Sequence, residues 1–74
     1  MGSKLSIYSD GGSRGNPGPS AIAFIVLREN GKILKKHSRY VGTRTNNQAE
    51  YEALILALEF AFEQNAEDVS CYMD

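Results

Sequence analysis

Seventy-four residues with a formal net charge of −1 and 42% hydrophobic content describe one small globular domain, and a chain of this size buries only about 60% of its unfolded surface. No apolar run approaches the roughly 20 residues needed to cross a bilayer, and the first residues lack the charged-then-apolar pattern of a secretory signal. Cys71 is the sole cysteine, which excludes a disulfide within these residues, so no membrane partner and a reducing, cytoplasmic setting are expected.

The charge is unevenly placed. All eight Lys and Arg lie in residues 1–44 beside Asp10 and Glu29 (+6), while residues 45–74 hold seven acids and no base (−7). Such a split fits a polyanion partner on one side and a metal on the other, or simply an uneven solvated surface.

Along the chain, residues 4–10 alternate in character, with Leu5 and Ile7 on one face and Ser6, Tyr8 and Asp10 on the other, and predict a first strand. Asp10 closes it, and a Gly/Pro-rich stretch from Gly11 to Pro19 follows. Residues 20–29 contain a nearly continuous apolar run, expected as a strand buried on both faces. Asn30-Gly31 favours a tight hairpin turn into a more polar strand over 32–41, whose Lys and Arg suit a solvated sheet edge.

Thr45 with Gln48 three residues on fits a capping box, opening a helix over 46–64. Leu54, Leu58, Ala61 and Phe62 recur at helical spacing and predict the inward stripe, with Ala53 and Ala57 allowing close approach to a sheet. Glu50 falls one turn before Leu54, beside that stripe, whereas Glu52, Glu59 and Glu63 read as solvated. A strand over 69–74 follows, with Val69, Cys71 and Met73 on one face and Cys71 expected as a small buried residue. Strand, helix, strand at this length implies a right-handed crossover and a parallel pair. The fold class is thus α/β: a mixed sheet of order 3-2-1-4, strands 1–3 antiparallel, one crossover helix, and strand 4 parallel to strand 1.

The glycine stretch admits three readings. A phosphate-cradling loop must open a helix, but Pro17 and Pro19 lead into an apolar β run and no Gly-Lys-Ser/Thr occurs, so that reading is rejected. A plain hairpin turn accounts for the glycines and leaves the acid unexplained. The third reading makes Asp10 a metal ligand and the loop a close-fitting surface for a nucleic-acid strand. Glu50 favours it, because an acid on the apolar side of a helix is costly unless paired or cation-bound. Asp10 and Asp74 end strands that point the same way, and Glu50 lies on the connecting helix. Three carboxylates without His or Cys suit Mg²⁺ or Mn²⁺.

Asp10-Gly-Gly-Ser-Arg-Gly-Asn-Pro-Gly, Thr45-Asn46-Asn47-Gln48-Ala49-Glu50-Tyr51-Glu52-Ala53-Leu54 and Tyr72-Met73-Asp74 together resemble the ribonuclease HI family, in particular its compact archaeal and bacterial branch, over essentially the whole chain. The resemblance implies a metal-dependent hydrolase, an endonuclease that cleaves the RNA strand of RNA/DNA hybrids by a two-metal-ion mechanism. It assigns Asp10, Glu50 and Asp74 as catalytic metal ligands, and makes Gly12, Asn16, Asn46, Asn47 and Gln48 candidates for nucleic-acid binding. Amides and backbone groups suit reading 2′-hydroxyls from the shallow minor groove; for Asn46 and Asn47 the rival is helix-start preference. The family domain is about twice this length, with a fourth acid and a His-bearing loop after the third acid, so the chain matches its N-terminal half. His37 is expected as a surface strand residue, and Tyr8 and Tyr72 as sheet-face or core residues. A second reading is therefore a catalytically silent fragment that binds nucleic acid or self-assembles. An uncovered fourth strand predicts a homo-oligomer paired through that edge.

Overall fold

The computed structural model describes residues 3–73. Four strands form one sheet of order β3-β2-β1-β4, as the sequence predicts. They are β1 (Lys4–Ser13), β2 (Gly18–Arg28), β3 (Ile33–Arg44) and β4 (Asp68–Met73), with helix α1 (Asn46–Glu63) between β3 and β4. β1 pairs antiparallel with β2 and parallel with β4, and β2 pairs antiparallel with β3.

Strand alternation decides what the helix covers. Leu5, Ile7, Ser9 and Gly11 of β1 and Gly18, Ser20, Ile22, Phe24 and Val26 of β2 are buried on one face. Against them α1 sets Ala49, Ala53, Ala57 and Ala61, a four-residue spacing that keeps one helix face on the sheet. The predicted stripe is corrected here. Leu54 and Leu58 are only half-buried and Phe62 is exposed; large side chains at the contact line would hold the helix away from the sheet. Leu56 packs against both core clusters, one around Ile7, Val26 and Ala57 and one around Ile22 and Ala53.

The expectation that β2 is buried on both faces also fails. Among the described residues α1 is the one helix, so it covers one face only; Ala21 is exposed and Ala23, Ile25 and Leu27 are half-buried. On that open face Tyr8 and Tyr72 stack at 4.9 Å and 17° between ring planes. Cys71, expected as buried, is exposed. It lies on β4, an edge strand of the sheet. His37 is half-buried, its ring tilted against Phe24 at 5.4 Å.

The boundaries move in two informative places. β1 continues past Asp10 to Ser13 and β2 begins at Gly18, so most of the glycines extend the hairpin and the connecting loop shrinks to Arg14–Pro17. β3 runs on to Arg44 through a register shift opposite Ser20/Ala21, where Gly42 takes a φ of +83°. Only Thr45 then separates β3 from α1. The predicted Asn-Gly turn is present, with Arg28 N–H donating to the Lys32 carbonyl at 2.8 Å and Lys32 N–H to Asn30 Oδ1 at 3.0 Å.

Candidate active site

The site is assembled where β1 meets the first turn of α1. Asp10 is exposed and pairs with Ala23 across the sheet. Gly11 is buried on the helix side. A Cβ at Gly11 would stand 2.2 Å from the Ala49 carbonyl oxygen and 2.7 Å from the Glu50 nitrogen. The missing side chain therefore lets the helix backbone rest directly on the strand. It brings Glu50, half-buried, beside the residue that follows Asp10. The sequence contains a clue to Gly11, which was missed. Of two successive glycines, it is the one on the parity of Leu5 and Ile7.

Among the described residues the one ion pair is Arg44 to Glu52, at 3.5 Å. Glu52 is thus half-buried and paired, where the sequence suggests a solvated side chain. Among the described residues Asp10 and Glu50 have no basic partner, and two such carboxylates at one sheet end are hard oxygen donors suited to Mg²⁺ or Mn²⁺. Among the described residues no three His, Cys, Asp or Glu side chains cluster as a ready metal site. Asp74, the third predicted ligand, lies outside the described residues; β4 approaches the same sheet end, with Met73 opposite Ser9. The Ser9 hydroxyl is buried and has no hydrogen-bond partner among the described residues.

The predicted amides converge on the same end, and three of them already have a structural task. Asn46 Oδ1 accepts from the Ser13 backbone N–H at 2.9 Å and from the Ser13 hydroxyl at 3.1 Å. The Asn46 N–H donates to Asn16 Oδ1 at 3.0 Å. These bonds clip the Arg14–Pro17 loop onto the start of α1. The capping box is complete: Gln48 N–H donates to Thr45 Oγ1 at 3.1 Å and Thr45 N–H to Gln48 Oε1 at 2.9 Å. Asn16, Asn46 and Gln48 thus use their carbonyl oxygens internally, which leaves their NH₂ groups as donors. Asn47 is exposed. Gly12 is also exposed, and a Cβ there would meet nothing within 4 Å. Ser13 was not anticipated; as a short polar residue after two glycines, it carries no distinctive signal.

Comparison with known proteins places this geometry. The family model described as RNase H matches residues 2–74. The chain is 44% identical over 68 residues to the ribonuclease HI of Halobacterium salinarum, covering 92% of this chain and 34% of that protein. The crystal structure of RNase H1 from that archaeon superposes with a TM-score of 0.89 at 42% identity, covering 96% of this chain and 54% of that one. The N-terminal RNase H domain of rv2228c from Mycobacterium tuberculosis superposes with a TM-score of 0.91 at 39% identity, over 96% and 55% of the two chains. LC11-RNase H1, solved in complex with an RNA/DNA hybrid, gives a TM-score of 0.85 at 45% identity, over 93% and 53%. The chain therefore spans about a third of that curated ribonuclease HI and about half of each of these solved chains.

Proposed function

Because the chain belongs to the RNase H family, we propose that it contributes the carboxylate end of a site that hydrolyses the RNA strand of RNA/DNA hybrids. The observation that carries this reading is the contact at Gly11. It holds the backbone of Glu50 against the strand end that bears Asp10, and neither acid has a basic partner among the described residues. Asp10 and Glu50, with Asp74, are the residues that would hold divalent metal. When bound, Mg²⁺ or Mn²⁺ stabilises the attacking and leaving oxygens of an in-line displacement.

The chain's own residues define the rest. The amide hydrogens of Asn16, Asn46 and Gln48 lie at the N-terminus of α1, whose dipole favours a phosphate. Exposed Gly12 lets the backbone of the substrate approach the sheet without meeting a side chain. These groups orient the hybrid, while the clip between Ser13, Asn16 and Asn46 keeps the loop at a fixed distance from Glu50. The test is cleavage of a labelled RNA/DNA hybrid with Mg²⁺ or Mn²⁺, compared with Asp10→Asn. The expected result is loss of RNA-strand cleavage in the variant; equal cleavage by both proteins overturns the assignment of Asp10.

One observation favours a second reading, a silent fragment that self-assembles. β4 pairs with β1 and, among the described residues, with no other strand, and Cys71, Tyr72 and Met73 on it are exposed. A strand edge of this kind is a template for pairing with another copy. Light scattering after size exclusion separates the two readings. A dimer that binds hybrid without cleaving it supports self-assembly, and a cleaving monomer rejects it.

A further inference from the structure

The sheet face turned away from α1 carries two neighbouring cross-strand rows at the Asp10 end. The register makes them Asp10–Ala23–Ser38 and Gly12–Ala21–Tyr40. Their inner positions are small: Gly12 projects no side chain, and Ala21 and Ala23 only a methyl. The floor is therefore flat. Tyr40, on the outermost strand and 68% exposed, stands at its edge as a wall. Two open depressions of about 490 and 480 Å³ meet there and share Gly12, Ala21 and Tyr40. The first is lined by Asp10 and Ser38, the second by Arg14 and Asn46.

An apolar floor, an aromatic wall and a cation at the loop end match the alternation of sugar or base rings and phosphates along a nucleic-acid strand. Aromatic side chains recognise the rings by their faces, and arginines hold the phosphates without reading sequence. The two depressions are also continuous with the Asp10 end and with the amide cluster at Asn46. We propose that this track is a nucleic-acid contact surface leading to Asp10, in which the Tyr40 ring packs on a nucleotide ring and Arg14 neutralises a phosphate. The inference rests on the hybrid-cleaving reading above and extends the contacts beyond the glycine loop to the far strand of the sheet.

The experiment measures binding of a fluorescently labelled RNA/DNA hybrid by anisotropy, in EDTA to keep the hybrid intact, across a range of salt concentrations. Tyr40→Ala is expected to weaken binding about tenfold, within the range for losing one stacked ring, while leaving the salt dependence unchanged. Tyr40→Phe should bind within twofold of the unaltered chain. Arg14→Gln should lower the slope of log K against log salt by about one. Circular dichroism confirms that each variant is folded, which the exposure of both side chains favours. Unaltered affinity in Tyr40→Ala overturns the proposal, as does equal weakening in Tyr40→Phe, because the ring would then not be the contacting group. If the unaltered chain fails to bind the hybrid, the functional reading itself falls and this inference with it.

Discussion

Gly11→Ala is the sharpest test of how the site is held together. The added methyl would stand 2.2 Å from the Ala49 carbonyl oxygen, 2.3 Å from its carbon and 2.7 Å from the Glu50 nitrogen, against an ordinary lower contact distance of 3.4 Å. All three neighbours are backbone, so no rotamer change relieves them. The first turn of α1 must withdraw by roughly 1 Å, or β1 must bend. Overpacking of this kind costs about 1–3 kcal/mol, partly offset by about 0.4–1 kcal/mol from the reduced freedom of the unfolded chain. Gly12→Ala supplies the control. Its Cβ meets nothing within 4 Å, so only the favourable term applies, and the two variants should differ by about 1–3 kcal/mol. In a domain of this size each kcal/mol moves the melting temperature by about 4–8 °C. Thermal and urea unfolding followed by circular dichroism measure the difference directly. A displacement of about 1 Å between Asp10 and Glu50 should also reduce hybrid cleavage by about a hundredfold. If Gly11→Ala melts with Gly12→Ala, α1 does not rest on β1 at Gly11, and the argument that places Glu50 at the site fails.

Other perturbations separate packing from capping and loop attachment. Ala53→Leu puts three extra carbons at a fully buried contact of helix and sheet and should cost about 1–3 kcal/mol by the same overpacking; unchanged urea unfolding would show that the helix does not sit on its alanine face. Thr45→Ala removes the acceptor for Gln48 N–H and should cost about 1 kcal/mol, read as a lower melting temperature with an unchanged spectrum at 20 °C. Asn46→Ala removes the acceptor shared by the Ser13 backbone and hydroxyl. Hydrogen exchange at Ser13 should accelerate, while Ala57 and Ala61, on the far part of the helix, keep their protection; unchanged exchange at Ser13 would show that the clip is not formed in solution. Glu52→Gln breaks the half-exposed pair with Arg44 and should cost no more than about 1 kcal/mol, a loss that salt should diminish in the parent chain as well.

The sequence made the strand order, the Asn30-Gly31 turn and the Thr45–Gln48 cap legible because each rests on a local pattern or on a connection rule. It also singled out Asp10 and Glu50, since an acid closing an apolar strand and an acid beside the apolar stripe of a helix need an explanation. Two features escaped. The predicted stripe of Leu54, Leu58, Ala61 and Phe62 is right at Ala61, and Ala53 and Ala57 do allow close approach, but the contact line selects Ala49, Ala53, Ala57 and Ala61 and leaves the large residues at its margin because the backbones approach closely. The reading of the glycine stretch as a loop beside Asp10 missed that Gly11 is a strand residue on the buried parity and Gly12 one on the open parity. Both misses have one physical origin. At this end of the sheet the fold is specified by the absence of side chains, whereas hydrophobic periodicity registers only their presence. The same point bears on function. With Gly11 and Ala49 holding helix to strand, and Asn16 and Asn46 joining loop to helix through their carbonyls, the carboxylates of Asp10 and Glu50 form no ion pair among the described residues, which is what the proposed metal site requires of them.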